Sequence, residues 1–457
     1  MTAPLPPLGF GVATSSYQIE GAVDADGRGP SIWDTLCARP GAVKDGSDGS
    51  VACDHYHRLD ADLDLVASLG VSAYRFSIAW PRVQPDGRRV EPRGLDFYDR
   101  LVDGCLARGL RPFATLYHWD LPQALEDAGG WPARDTAERF AEYAAVVADR
   151  LADRVTAWTT HNEPWCAAFL GYAAGVHAPG RTEPPASFAA AHHLLLGHGL
   201  ATTALRAASS AAEVGIVLNL APVYAEPDAD PRAVDVVDAI RNRLWLDALL
   251  DRTYPQVLPD LADPDLVRPG DLDAVGGTLD WIGVNYYTPE RIAAAEGATG
   301  VGGVTGVGQE TSAYPGAPAH GYRPRAPFTT MGWEVAPDAF TDLLVTVARR
   351  APGLPLRVTE NGSAYPDEVR AADGSIDDPD RAAYLLDHVA AVRRAREQGA
   401  PVVDYLAWTL LDNFEWAEGY TQKFGLVEIE PGTLRRVPKR SFRAFAELVA
   451  EGADPQS

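Results

Sequence analysis

Lysine is almost missing from this chain. Only Lys44, Lys423 and Lys439 occur among 457 residues, and arginine supplies the rest of the positive charge. Positive charge as a whole is scarce, because 63 acidic residues against 40 basic ones leave a formal net charge of −23. A polyanion would be repelled by that field, which excludes nucleic acid and anionic membrane as expected partners and favours a small neutral molecule. Most of the charge serves solubility. Cysteine is equally sparse. Cys37, Cys53, Cys105 and Cys166 form no C-x-x-C pair and no disulfide framework, so four reduced thiols are expected. No run approaches the roughly 18 apolar residues of a membrane span. Met1–Phe10 has neither a basic n-region nor an apolar core, so no signal peptide is expected and the cytoplasm is the expected compartment. Glycine-rich phosphate motifs are absent in a strand-to-helix context. Cys53, His55 and His57 alternate without the spacing of zinc ligands, so they read as structural; no metal and no cofactor are expected.

What is present is an ordinary globular composition, 46% hydrophobic and 23% charged. The length allows a large core. Eight β-rich runs recur along the chain: Phe10–Ser15, Ala73–Trp80, Arg111–His118, Val155–Asn162, Val214–Leu220, Trp281–Tyr287, Leu354–Thr359 and Val403–Leu410. Several are nearly continuous apolar runs, as in parallel strands buried on both faces. Helical periodicity separates them: Leu95, Tyr98, Val102 and Cys105 share one face, as do Phe140, Ala144, Val147 and Leu151, and Leu385, Val389 and Val392. Eight alternating units predict an α/β fold, a single (β/α)8 TIM barrel with elaborated βα loops. No repeat or composition shift marks a second domain, so one domain is expected over residues 1–457, with a core from about 9 to 447. Long connections at Gly171–Pro185, Ala293–Phe328 and Gly362–Pro379 are expected to surround the mouth, the second as a mobile insertion.

In such a barrel the ligand site gathers at the C-terminal ends of the strands. The first run ends near Gln18, and the second carries Arg75. The third ends in His118-Trp119-Asp120 and the fourth in His161-Asn162-Glu163-Pro164. The sixth ends in Asn285-Tyr286-Tyr287 and the seventh in Thr359-Glu360-Asn361-Gly362. The eighth carries Trp408 and leads to Asn413-Phe414-Glu415-Trp416. Carboxylates, amides and tryptophans therefore collect at one end. Tryptophan faces stack on the C–H face of a pyranose, and amides and carboxylates match its hydroxyls. Glu163 and Glu360 are each expected directly after a strand. Two carboxylates facing a sugar are what glycoside hydrolysis needs, at about 5–5.5 Å apart for retention or roughly 6.5–9.5 Å for inversion. The order of strands is compatible with either.

These stretches also resemble the family 1 glycoside hydrolases. The likeness runs from Phe10 to about Phe445 through the segment from Phe10 to Gly21, Cys53-Asp54-His55-Tyr56-His57-Arg58, Tyr74-Arg75-Phe76-Ser77, His118-Trp119-Asp120-Leu121-Pro122, Asn162-Glu163-Pro164, Val284-Asn285-Tyr286-Tyr287, Thr359-Glu360-Asn361-Gly362 and the segment from Trp408 to Trp416. The resemblance implies a retaining β-glucosidase with Glu163 as acid/base and Glu360 as nucleophile. It implies Arg75 and Tyr287 as partners of the nucleophile and Asn285 as a polar support of the acid/base. Gln18, His118, Trp119, Asn162, Glu415 and Trp416 would hold the glucosyl unit, with Trp408 as its stacking floor. Trp333 would be the platform of the leaving group, with Trp165, Cys166, Leu170, His177 and Asn219 at the same entrance. Arg75 is expected to lower the pKa of Glu360.

Three other readings compete. A phospho-β-glycosidase needs cations near the sugar 6-position, where Glu415 would repel phosphate and only Lys423 favours it. A transglycosidase would intercept the same intermediate with an alcohol. An inactive sugar-binding protein would lack one of the carboxylates or its support, and both glutamates, Arg75 and Tyr287 are present.

Overall fold

The computed structural model describes residues 5–295, 312–371 and 374–452. Eight parallel strands close into a barrel: β1 (Gly9–Ala13), β2 (Ala73–Ser77), β3 (Arg111–Tyr117), β4 (Ala157–Asn162), β5 (Glu213–Asn219), β6 (Trp281–Asn285), β7 (Leu356–Asn361) and β8 (Val402–Trp408). Each pairs with the next, and β8 closes on β1. All eight expected runs are strands. The limits differ where the chain turns away early: Trp80 opens a helical turn instead of extending β2, while β7 runs on through Glu360 and Asn361. Glu163 thus follows its strand directly, whereas Glu360 lies within one.

The helices pack outside as their periodicity predicts. Leu95, Tyr98, Val102 and Cys105 are buried on Pro92–Ala107, Phe140, Ala144, Val147 and Leu151 on Arg134–Leu151, and Leu385, Val389 and Val392 on Pro379–Glu397. Inside the barrel, Phe113, Ala157, Val217 and Trp281 form an apolar cluster separate from the helix-facing core. The ring of Trp281 occupies the space beside Gly215, where an added Cβ would lie 2.4 Å from the indole. Polar inward residues (Arg75, Thr115, Asn285 and Thr359) follow further along the strands, joined by hydrogen bonds between them.

Two expectations about connections change. Gly171–Pro185 is not loop throughout, because Cys166–Ala174 forms a buried π-helical turn and the next helix begins at Pro184. The long insertion after β6 also carries strands. Glu290–Ala294 pairs with His320–Tyr322 and with Val223–Ala225 in a small outer sheet; residues 296–311 of this insertion lie outside the described residues. A short hairpin, Val427–Ile429 with Arg436–Pro438, follows β8. All four cysteines are free thiols. His55 pairs with Asp62 and His57 with Asp54, which gives both histidines of the Cys53–His57 stretch structural partners. No helix among the described residues is long and apolar enough to cross a membrane.

Candidate active site

The strands that carry the two glutamates break register just before them. The β4–β5 pairing shifts between Thr159 and Asn162, and the β7–β6 pairing shifts between Val358 and Glu360. A bulge re-aims the residues beyond it, since strict alternation would otherwise fix their faces. In β4, His161 stacks outward on Phe140 at 4.4 Å, and Asn162 turns into the barrel. In β7, Thr359 reaches Asn285 across the interior and Glu360 reaches Arg75. Trp119, Glu163 and Trp416 take left-handed backbone angles, with φ of 74°, 46° and 52°.

The two carboxylates have opposite surroundings. Arg75 Nη1 donates to Glu360 Oε1 at 2.7 Å, and Tyr287 Oη donates to Glu360 Oε2 at 2.8 Å. Among the described residues, no cation is bonded to Glu163. Asn285 Nδ2 donates to its Oε1 at 2.6 Å, and Asn219 Nδ2 and the Cys166 thiol donate to its Oε2 at 3.0 Å each. The second guanidinium nitrogen of Arg75 holds Asn162 Oδ1 at 2.6 Å, and Asn162 Oδ1 also receives Asn285 Nδ2 at 3.2 Å. One network therefore joins both glutamates.

Burial and the charge of Glu163 push Glu360 up to about 7, and Arg75 and Tyr287 oppose them. Arg75 lowers the pKa of Glu360 as expected, but a buried carboxyl facing a second carboxylate is shifted further in the other direction. Glu415 is pushed up to about 8 by burial and then by Glu360, Glu163 and Glu418. His118 is held well below the usual imidazole range, first by burial and then by Arg75, so the ring is neutral and can accept the Asn162 amide at 3.1 Å.

Fourteen of the residues singled out from sequence line one pocket of about 890 Å3 including its open mouth: His118, Trp119, Glu163, Trp165, Cys166, Leu170, His177, Asn219, Tyr287, Trp333, Glu360, Trp408, Glu415 and Trp416. The other four stand behind the wall. Gln18 bonds Asn413 and Phe414 and lies 3.5 Å from Glu415, and Arg75, Asn162 and Asn285 form the network above. His118 stacks between Trp408 and Trp416, 5.9 Å from each. Val176, Arg241, Thr288, Met331, Glu418 and Phe424 also line the pocket and went unnoticed in the sequence. Arg241 sits on the π-helical turn Ala239–Arg243, in a stretch without a motif. A phosphate finds little support. Lys44 is paired with Glu418 at 2.7 Å, and Lys423 lies 4.0 Å from Glu428.

A parallel barrel whose rim presents two unlike carboxylates inside a wall of tryptophans is the framework of a carbohydrate-cleaving enzyme. The chain belongs to glycosyl hydrolase family 1, whose family model matches residues 7–453. It is 43% identical to a β-glucosidase from an Agrobacterium species over 96% of this chain and 94% of that protein. It is 45% identical to a bifunctional β-D-glucosidase/β-D-fucosidase from Bifidobacterium breve, covering 97% of each. Among solved structures, the psychrophilic β-glucosidase BglU from Micrococcus antarcticus superposes with a TM-score of 0.93 at 43% identity, covering 98% of this chain and 97% of that one.

Proposed function

We propose that the protein is a retaining β-glucosidase that releases terminal non-reducing β-D-glucosyl units from β-glucosides or cello-oligosaccharides by double displacement. The observation that carries this reading is the asymmetry of the two glutamates. Glu360 is held by a guanidinium and a phenol, which favour an ionised nucleophile; Glu163 is held, among the described residues, by neutral donors. In the first step Glu360 attacks C1, and Glu163 gives its proton to the leaving oxygen as the C1–O bond breaks. The glycosyl-enzyme ester carries no charge on Glu360. Glu163, now a carboxylate, takes a proton from water, which attacks C1 and frees Glu360 with β-configuration restored.

In this reading Arg75 and Tyr287 orient and stabilise Glu360, and Asn285 holds Glu163. Gln18, His118, Trp119, Asn162, Glu415 and Trp416 bind the sugar hydroxyls over Trp408. Trp165, Cys166, Leu170, His177, Asn219 and Trp333 receive the leaving group. The relative that also acts as a β-D-fucosidase supports tolerance of β-fucosides. An alcohol in place of water would give transglycosylation from the same intermediate. We place this activity in one catalytic domain spanning the chain and, on its four free thiols, in the cytoplasm. Proton NMR of an aryl β-glucoside digest tests the mechanism: β-glucose appears first and then mutarotates. Initial release of α-glucose would remove Glu360 from the role of nucleophile.

A further inference from the structure

The amides that face Glu163 could each present either an N–H2 group or an oxygen, and the two ends have nearly the same shape. Which end points at the acid decides where its proton can go. For Asn285 the choice is forced indirectly, because Arg75 can only donate. It therefore fixes Asn162 Oδ1 as an acceptor, which draws Asn285 Nδ2 to the side shared with Glu163. For Asn219 the choice is forced by Arg241, whose Nη2 donates to Asn219 Oδ1 at 2.6 Å and leaves Nδ2 against Glu163 Oε2. Arg241 is itself enclosed. It is 7% exposed, and its guanidinium carbon lies 4.0 Å from the centroid of the Trp165 ring. The buried Glu290, which accepts from Tyr314 at 3.2 Å, supplies a nearby counter-charge.

We infer that Arg241 is a positioning residue for Glu163: it locks the Asn219 amide so that the acid's carboxyl meets donors and its proton is left for the leaving-group oxygen. The inference rests on the reading of Glu163 as the acid. With the lock removed, Asn219 can rotate and offer Oδ1 to the protonated Glu163. The proton is then held by a protein acceptor, away from the glycosidic oxygen. Glycosyl transfer to Glu360 that needs no proton is untouched by this trap. The consequence is a loss that depends on the leaving group, which a merely structural role would not produce.

The test compares kcat/KM for octyl β-glucoside, a poor leaving group, with 2,4-dinitrophenyl β-glucoside, which leaves unprotonated. Arg241→Met is expected to lose about tenfold or more on the octyl substrate and no more than about twofold on the dinitrophenyl one, as expected for a hydrogen bond to a charged group. Arg241→Lys, again a donor only, restores most of the loss. Asn219→Asp keeps the arginine but sets a carboxylate oxygen against Glu163, and it should show the same selective loss. If Arg241→Met does not fold, Asn219→Asp gives the decision. Equal losses on both substrates, or no loss on the octyl glucoside, overturn the inference. Glu163→Ala is the reference: a selective loss there with a uniform loss in the other variants defeats this inference alone, whereas a uniform loss in Glu163→Ala defeats the reading of Glu163 as the acid.

Discussion

Replacing Glu163 by glutamine is expected to move the acid limb of kcat/KM to lower pH. Glu360, the proposed nucleophile, can attack only when ionised, and burial together with the charge of Glu163 pushes it up to about 7. Below that pH the rate of the wild type falls about tenfold per unit. Glutamine keeps the shape and removes the charge, and loss of a like charge favours the ionised nucleophile. The pairs Arg75–Glu360 and Tyr287–Glu360, at 2.7 and 2.8 Å, then act with less opposition. Two unit charges about 5.5 Å apart, the separation of a retaining pair, are worth about 3 kcal/mol at an effective dielectric constant of about 20. That is a ceiling of about two pH units, and water in the open mouth should reduce it to about one. The assay is initial rates on 2,4-dinitrophenyl β-glucoside from pH 4 to 9 (about half-unit steps), since its first step needs no proton donor. An acid limb that stays in place, or rises, would refute the reasoning that Glu163 is already charged when Glu360 ionises.

Four further outcomes follow from the same geometry. Glu360→Ala should abolish turnover, and azide should restore reaction with an α-configured product by NMR, because the anion enters from the face the carboxylate vacates. Tyr287→Phe deletes the 2.8 Å bond to Glu360 and should lower kcat by about tenfold or more with little change in KM, measured by steady-state kinetics. Lys439 is fully buried between Asp367 and Asp412; Lys439→Met leaves Asp367 to Arg381 and takes from Asp412 its ion-pair partner, and should cost about 3–5 kcal/mol in urea unfolding. Glu415, raised to about 8, destabilises the fold increasingly as pH rises from its unfolded value through 8, so Glu415→Gln should raise Tm by about 2 °C or more at pH 8 and hardly at pH 4, while weakening glucoside turnover.

The barrel was legible because its cause is local. Runs such as Ala73-Tyr74-Arg75-Phe76-Ser77 and Val402 to Trp408 are buried on both faces, and that requirement shows in composition. Some candidate residues were legible for a different reason: Asn162, Asn285 and Trp408 end strands, and a strand end is visible wherever a polar cluster interrupts an apolar run. What stayed hidden depends on contacts across the chain. Nothing near residue 241 signals that its guanidinium will lie on the Trp165 ring and reach Asn219, because those partners are brought together only by closure of the barrel. That burial and Glu163 outweigh Arg75 at Glu360 was hidden for the same reason. An arginine in the sequence announces its charge, but the depth of the pocket and the second carboxylate arise from the fold. The π-helical turn Cys166–Ala174 was likewise read as part loop, since its small apolar residues suit a buried helical turn and give no periodic stripe.

The hidden features are also where local preference is overruled. Bulky residues seldom adopt positive φ, and each such residue costs about 1–3 kcal/mol unless its surroundings enforce it. Trp119, Glu163 and Trp416 all do so at the pocket wall. The enforcement is visible. The indole of Trp119 donates to Asn162 O at 2.9 Å, the backbone N–H of Glu163 donates to Val217 O at 2.8 Å, and Trp416 packs on Trp33 and Trp119 at 4.7 and 4.6 Å. Gly362, two residues after Glu360, permits the matching approach on the other side, where any Cβ would fall 1.7 Å from Trp408 O. Alternation along a strand can aim every second residue at the axis, but a sugar pocket needs consecutive groups aimed at one ring. Bulges in β4 and β7, three strained backbones and one glycine supply that convergence, and the closed barrel around them bears the cost.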